Sequence, residues 1–282
     1  MAQIGRYNKL KVIRKTGVGY FLDGGEIGDI LMPYKYATPD QKVGDVLEVI
    51  VYLDQEERPV ATTEKPFALI DEFAFLEVVD VLPFGAFLDW GLTKQLFVPL
   101  AEMTRPLQLG QFCMVYIYFD EFSSRIVAST KLEKFLDKRD DSLKVADEVD
   151  LMIWAESDLG YKAIVNYSVQ GLIYRSDVFK LLLPGQKLKG YVSKIREDGK
   201  IDISLEKIGH LKLDDISERL LDILTSNPQA RKLNDKSDPD LIYQLTHLSK
   251  KNFKKALGIL YKAGRIDLGD KKGDIVIKEA KA

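Results

Sequence analysis

The segment Phe84-Gly85-Ala86-Phe87 sets two phenyl rings three residues apart across a glycine, and Arg125 opens an apolar run further along. An exposed ring offers a face on which any nucleobase stacks, worth about 1–3 kcal/mol per base, and a neighbouring cation meets the phosphate. The same residue types recur as Tyr20, Phe21 and Arg58, then as Tyr161, Tyr174 and Lys200. A separate cluster of Lys250, Lys251, Lys254 and Lys255 is joined by Lys271 and Lys272. This chemistry is stacking and charge contact rather than bond breaking. Two histidines, His210 and His247, and no Ser/His/Asp motif leave nucleophilic catalysis little to work with. Carboxylate pairs such as Asp140-Asp141 and Asp214-Asp215 raise the alternative of a metal-assisted nuclease. Adjacent side chains on a helix diverge, however, and no further ligands are spaced to complete such a site. The single cysteine, Cys113, excludes an internal disulfide framework and a Cys-based zinc site. Between Phe112 and Met114 it reads as a buried thiol in a strand, and it fits a reducing cytosol. No catalytic residue, metal or cofactor is expected.

The bulk properties bound the answer. A chain of 282 residues, 46% hydrophobic and 30% charged, is long enough for several small domains of ordinary globular composition. No apolar stretch approaches a membrane span of about 18 residues, and the N-terminus lacks a signal-like run, so a cytoplasmic protein is expected. The net charge of −2 is unevenly spread: residues 208–282 hold 15 Lys/Arg against 11 Asp/Glu, a net of +4, which leaves −6 for the rest. An acidic front half argues against coating nucleic acid by charge alone and favours stacking with local basic spots.

The elements that must position these residues come in three copies. Gly19-Tyr20-Phe21-Leu22-Asp23 returns 66 residues later as Gly85-Ala86-Phe87-Leu88-Asp89. Gly44 and Gly110, like Pro33 and Pro99, keep the same offset, and Gly160 and Gly185 follow the second copy by 75 residues. In the second copy, strands are predicted over 76–82, 84–90, 96–99, 112–119 and 125–129, with a bulge or barrel corner at the glycine. Five short strands in about 60 residues is the count for an oligonucleotide-binding barrel. The period then changes. Leu213, Ile216, Leu220, Leu221 and Leu224 recur at helical spacing, with Asp214 or Asp215 as N-cap and Asn227-Pro228 as the stop. A short helix from Ser237-Asp238-Pro239, a third helix capped by Ser249 and ending at Ala263-Gly264, and two strands around the tip 269–273 complete a winged-helix pattern.

The repeats resemble the S1 domain. Phe84-Gly85-Ala86-Phe87, Leu96-Phe97-Val98-Pro99, Leu109-Gly110-Gln111 and Arg125-Ile126-Val127 carry the likeness in the second copy. Gln170-Gly171-Leu172-Ile173-Tyr174 and Ile201-Asp202-Ile203-Ser204-Leu205 carry it in the third. Three such units followed by a basic helical tail resemble the conserved virulence factor B family of bacterial RNA-binding proteins. The resemblance implies a mainly β chain with an α+β tail: three tandem S1/OB-type five-stranded barrels at 1–65, 70–135 and 146–208, then a winged-helix domain at 212–280. It also implies that RNA lies across strands two and three. The paired aromatics map onto Phe84 and Phe87, the usual strand-three histidine onto Pro33, Pro99 and Tyr174, and the basic residue opening the last strand onto Arg58, Arg125 and Lys200. No copy keeps the full set.

The expected partner is single-stranded RNA and the expected role post-transcriptional regulation. Docking to the ribosome or another protein is the alternative, supported by the acidic front half. At the residue level both readings stay open. Phe84 and Phe87 face opposite sides of a regular strand unless a bulge at Gly85 brings them together. Tyr20 and Tyr161 are core or platform, Arg58 and Arg125 phosphate contacts or solvated strand-end charges, and the lysine cluster a nucleic-acid surface or a soluble helix face. The short linkers near Lys65-Pro66 and Lys138-Arg139-Asp140 suggest limited but real flexibility between domains.

Overall fold

The computed structural model describes residues 1–178, 181–205, 213–246, 248, 250–268 and 274–278. These fall into two compact units, Met1–Leu136 and Asp137–Ala282. The first holds two barrels. Barrel one comprises β1 (Tyr7–Lys15), β2 (Gly19–Asp23), β3 (Asp29–Pro33), β4 (Val46–Leu53) and β5 (Pro59–Thr62). Barrel two comprises β6 (Phe73–Leu82), β7 (Gly85–Asp89), β8 (Leu96–Pro99), β9 (Phe112–Asp120) and β10 (Arg125–Ser129). The second unit holds barrel three, β11 (Glu148–Ser157), β12 (Gly160–Val165), β13 (Val169–Tyr174), β14 (Lys187–Ile195) and β15 (Ile201–Ser204). It continues into α1 (Leu213–Ser226), α2 (Pro239–Thr246), α3 (Lys250–Lys262), β16 (Ile266–Leu268) and β17 (Ile275–Ile277).

Each barrel closes in the same order. The first strand pairs with the second and fourth, and the third pairs in parallel with the fifth, at Leu31 with Val60, Phe97 with Val127 and Leu172 with Asp202. A register shift interrupts the first strand of every barrel, between Val12 and Arg14, Val78 and Asp80, and Ile153 and Ala155. Such a bulge sharpens the bend that lets five strands close. The repeated glycine that opens the second strand has a steric cause. A Cβ at Gly19, Gly85 or Gly160 would overlap the carbonyl oxygen of Met32, Val98 or Ile173 on the adjacent strand. The bend thus lies in the first strand, and Gly85 permits a close approach rather than a bulge of its own.

Alternation along the strands fills each interior. Val12, Leu22, Ile30 and Met32 in barrel one, Val78, Leu88 and Val98 in barrel two, and Ile153, Ala163 and Ile173 in barrel three are fully buried. Each aliphatic side chain of this size contributes about 1.5–3 kcal/mol by leaving water. Barrels one and two also share a core, because Ile50, Tyr52 and Val60 pack in the same cluster as Trp90, Leu96 and Ile117. The Lys94 ammonium donates to the carbonyls of Leu53 (2.6 Å) and Asp54 (2.8 Å), and the Phe67 amide donates to the Trp90 carbonyl (2.8 Å). The joint at Lys65-Pro66 is therefore packed between the two barrels.

The helical region builds its own core from Leu220, Leu224, Phe253, Leu260 and Ile275. Helix α1 starts at Leu213, so Asp214 and Asp215 fall within its first turn rather than at the N-cap position. Asp238 caps α2 as expected: its carboxylate accepts from the Asp240 amide at 2.9 Å. His247 and Ser249 lie outside the described residues, as does the tip 269–273. Among the described residues no helix is long and apolar enough to cross a membrane.

Candidate functional site

The three barrels can be compared position by position through their registers. On the outer face of strands two and three, Phe21 stands opposite Leu31, Phe87 opposite Phe97, and Lys162 opposite Leu172. The residue before each of these on strand two points inward, because side chains alternate across a strand. That position is Tyr20, Ala86 and Tyr161. Tyr20 is 3% exposed and its hydroxyl donates to the Gln41 carbonyl at 2.9 Å, while Tyr161 is 5% exposed inside the third core. Neither ring presents a face to solvent, so both leave the set of stacking platforms, and Phe21 is the outward aromatic of its pair.

Barrel two presents a three-ring surface. Phe84 sits in the turn before β7 and is 59% exposed; Phe87 is half-buried on the outer face. Their common neighbour is Phe97 on β8, with ring centroids 6.0 Å from Phe84 and 5.1 Å from Phe87. Phe97 thus joins two rings that sequence spacing alone sets on opposite sides. Gly85 makes the arrangement possible, because a Cβ there would overlap the Phe97 ring. Sequence reasoning passed over Phe97 by assigning the strand-three contact to Pro99. Its alternation with buried Leu96 and Val98 was the available signal.

The first and third barrels carry cations on this face. The Arg14 guanidinium lies 3.9 Å from the centroid of the Phe21 ring and pairs with Asp29 at 3.1 Å. The Lys162 ammonium lies 4.8 Å from the centroid of Trp154, the residue at the bulge of β11. Neither Arg14 nor the Trp154–Lys162 pair is legible from motif spacing. Each strand-opening cation is paired with a carboxylate. Arg58 is held by Asp54 (2.7 Å) and Glu56 (2.8 Å), whose hydrogen bonds and charges raise its already high pKa further. Arg125 donates through Nε to Glu57 of barrel one at 2.7 Å, and Lys200 pairs with Asp198 at 3.0 Å. Glu57 adopts a left-handed backbone (φ 63°) at the β4–β5 turn while holding that contact. The carboxylates on Arg58, Arg125 and Lys200 answer the charge that a phosphate would seek.

Tyr174 is half-buried, and its hydroxyl accepts from Arg196 at 2.8 Å. Arg196 also donates through Nε to the buried carboxylate of Asp202 at 2.9 Å. A cleft of about 330 Å³ opens beside this network, lined among others by Leu159, Lys162, Gln170, Leu172, Arg196 and Lys200. On α3, Lys254 and Lys255 are exposed, whereas Lys250 donates to the Ser237 carbonyl at 2.8 Å. Lys254 lies 3.9 Å from Asp235. Lys251 is on the same helix, and Lys271 and Lys272 lie outside the described residues, so convergence of helix and tip charges remains an expectation from sequence. No group of three or more His, Cys, Asp or Glu side chains among the described residues is arranged to hold a metal.

Comparison with known proteins agrees with this architecture. The S1 domain family matches residues 4–64 and 72–131, and the CvfB-like winged helix domain matches 218–274. Protein YitL of Bacillus subtilis is 31% identical over 93% of this chain and 90% of its own length. Conserved virulence factor B of Staphylococcus aureus is 24% identical over 94% of this chain and 91% of its own. A solved multidomain protein with nucleic acid binding domains from Streptococcus pneumoniae is 24% identical, with 98% of each chain covered and a TM-score of 0.41. With two matched S1 domains, a third barrel of identical strand order and the matched winged helix, the chain belongs to the conserved virulence factor B family.

Proposed function

We propose that this protein binds single-stranded RNA and acts in the cytoplasm as a post-transcriptional regulator, holding RNA without a catalytic step of its own. The observation that carries the reading is the Phe84, Phe97 and Phe87 surface of barrel two. Phe84 is exposed and Phe87 and Phe97 are half-buried beside it, an outward placement with little structural reason, since fuller burial would stabilise the rings. They suit unpaired bases, which stack on rings with little regard to sequence. The exposed lysines of α3 add phosphate contacts whose strength falls with salt.

Labelled single-stranded RNA, single-stranded DNA and duplex DNA titrated at two salt concentrations test the proposal. Single-stranded RNA binds at low salt, and Phe97→Ala weakens it by about 1–3 kcal/mol while leaving the salt slope unchanged. Replacing Lys254 and Lys255 by Glu lowers both affinity and slope. Absence of RNA binding at low salt sinks the reading. The carboxylates of Asp54, Glu56 and Glu57 that cover Arg58 and Arg125 favour a second reading, docking to the ribosome or another protein. Co-sedimentation with ribosomes that Phe97→Ala leaves intact, together with no affinity for free RNA, would establish it instead.

A further inference from the structure

The small sheet of the helical region has an open edge. Strand β17 pairs with β16 at Ile277 with Ile266, Val276 with Asp267 and Ile275 with Leu268, and among the described residues no strand pairs with its other side. The Lys278 amide donates to the Arg265 carbonyl at 2.9 Å, so Lys278 and, by alternation, Val276 turn their backbone groups towards β16. The N–H and C=O groups of Ile275 and Ile277 point the other way. A groove of about 520 Å³ lies there, lined by residues 274–277 and, from the end of α1 and the turn after it, by Thr225, Pro228, Arg231 and Lys232. Side chains alternate across a strand, so four consecutive residues line one groove only along its backbone edge. The residues of β16 are not among them, which sets the groove on the open side. Arg231 donates to the carbonyls of Leu224 (2.5 Å) and Thr225 (2.9 Å), which fixes its guanidinium at the groove without neutralising it. Lys232 is exposed, and neither cation takes part in an ion pair among the described residues. The lining holds one acid against these two cations, Asp274, just before β17.

We propose that this groove takes an extended segment of a partner protein as a third strand of the sheet, with an acidic side chain of that segment set against Arg231 and Lys232. Ile275 and Ile277 offer two donors and two acceptors at ladder spacing, and an extended peptide answers both kinds with its own amides. A phosphodiester backbone does not, because its phosphates accept hydrogen bonds and donate none, so the two carbonyls would lose water without replacement. An open strand edge is a template for pairing with another chain. The fixed guanidinium and the exposed ammonium beside it narrow the choice to acidic segments, since like charge is penalised at close range. Three residues of strand span about 10 Å, so the contact is short and its affinity modest. The inference goes beyond RNA binding and does not rest on it, because the groove shares no residue with the ring surface of barrel two.

The full chain is titrated with two end-capped, labelled peptides, one alternating valine with glutamate and the other valine with lysine. The glutamate peptide binds with a dissociation constant of about 1 mM or tighter, and the lysine peptide binds about tenfold more weakly. Lys232→Glu, a change at an exposed side chain, narrows or reverses that preference. Methylating the amide nitrogens along one edge of the glutamate peptide weakens binding about tenfold or more, whereas methylating those along the other edge leaves it intact. At saturating peptide, hydrogen exchange of the Ile275 and Ile277 amides slows by about tenfold or more, and that of Val276, already turned to β16, changes less. Equal loss from methylating either edge, or binding that leaves both isoleucine amides unprotected, puts the peptide elsewhere and overturns the proposal. Failure of the glutamate peptide to bind at several times about 1 mM overturns it too. So does an oligouridylate that displaces the peptide and itself protects those amides, because the groove would then be a nucleic-acid contact.

Discussion

Single side chains in this protein take their character from what covers them. Tyr20 and Phe21 are neighbours in sequence, yet one is an interior hydrogen-bond donor and the other an outer-face ring under a guanidinium. Cys113 shows the same control by burial. Its thiol is buried on β9, and loss of solvent pushes its pKa up to about 11 against a weaker opposing pull from Arg105. At pH 8 the native thiolate fraction is about a hundredfold below that of the unfolded chain. Alkylation in the native state should therefore be at least that much slower than in denaturant, and reaction at the denatured rate would show the thiol to be open. Because the folded pKa lies above the unfolded one, this group's contribution to stability is complete below about pH 9 and is lost as pH rises through about 11.

At the scale of elements, the decisive feature is the close approach of the second and third strands. The glycine at the start of the second strand recurs because a carbonyl on its neighbour occupies the space a Cβ would need. At Gly85 the Phe97 ring occupies that space as well, which couples strand packing to the ring surface. Gly85→Ala should lower the stability of the first unit by about 2 kcal/mol in a denaturant titration. It should also weaken RNA binding by displacing Phe97. A variant with wild-type stability and affinity would show that the strands stand further apart than described. The bulges at Val12/Arg14, Val78/Asp80 and Ile153/Ala155 act in the same way, turning strands that sequence alternation alone would leave straight.

For the chain as a whole, residues 1–136 form a single packed unit that contains two barrels. Lys94 of the second barrel binds two backbone carbonyls of the first. Its pKa is lowered, chiefly by burial and then by the Arg125 charge, so its hydrogen bonds are made in partly desolvated surroundings. Lys94→Met leaves those carbonyls without their donor and should cost about 1–3 kcal/mol. Native-state hydrogen exchange of the core amides of β4 and β9 should report that loss in both barrels together. A loss confined to β9 would mean that the barrels open independently. A fixed pair of barrels sets the spacing between the Phe21 and Phe87 faces in the free chain, which under the proposed reading would reduce the ordering cost of association.

The repeats, the strand positions and the change to helical period were legible because they are local. Strands Leu96–Pro99 and Arg125–Ser129 and the helix ending before Asn227-Pro228 follow from alternation, turn residues and helix stops within a few positions. The architecture followed from the order of those elements. The composition of the candidate site did not, because its members meet from distant parts of the chain. Glu57 and Arg125 are 68 residues apart, and nothing in their spacing announces that one covers the other. Phe97 reaches between Phe84 and Phe87 only once two strands pair across a glycine. The cleft of the third barrel likewise needs several strands and a turn to bring Lys162, Gln170 and Arg196 to one rim. Local hydrogen bonding and alternation belong to the sequence, whereas exposure, charge neutralisation and cavity shape are properties of the packed chain.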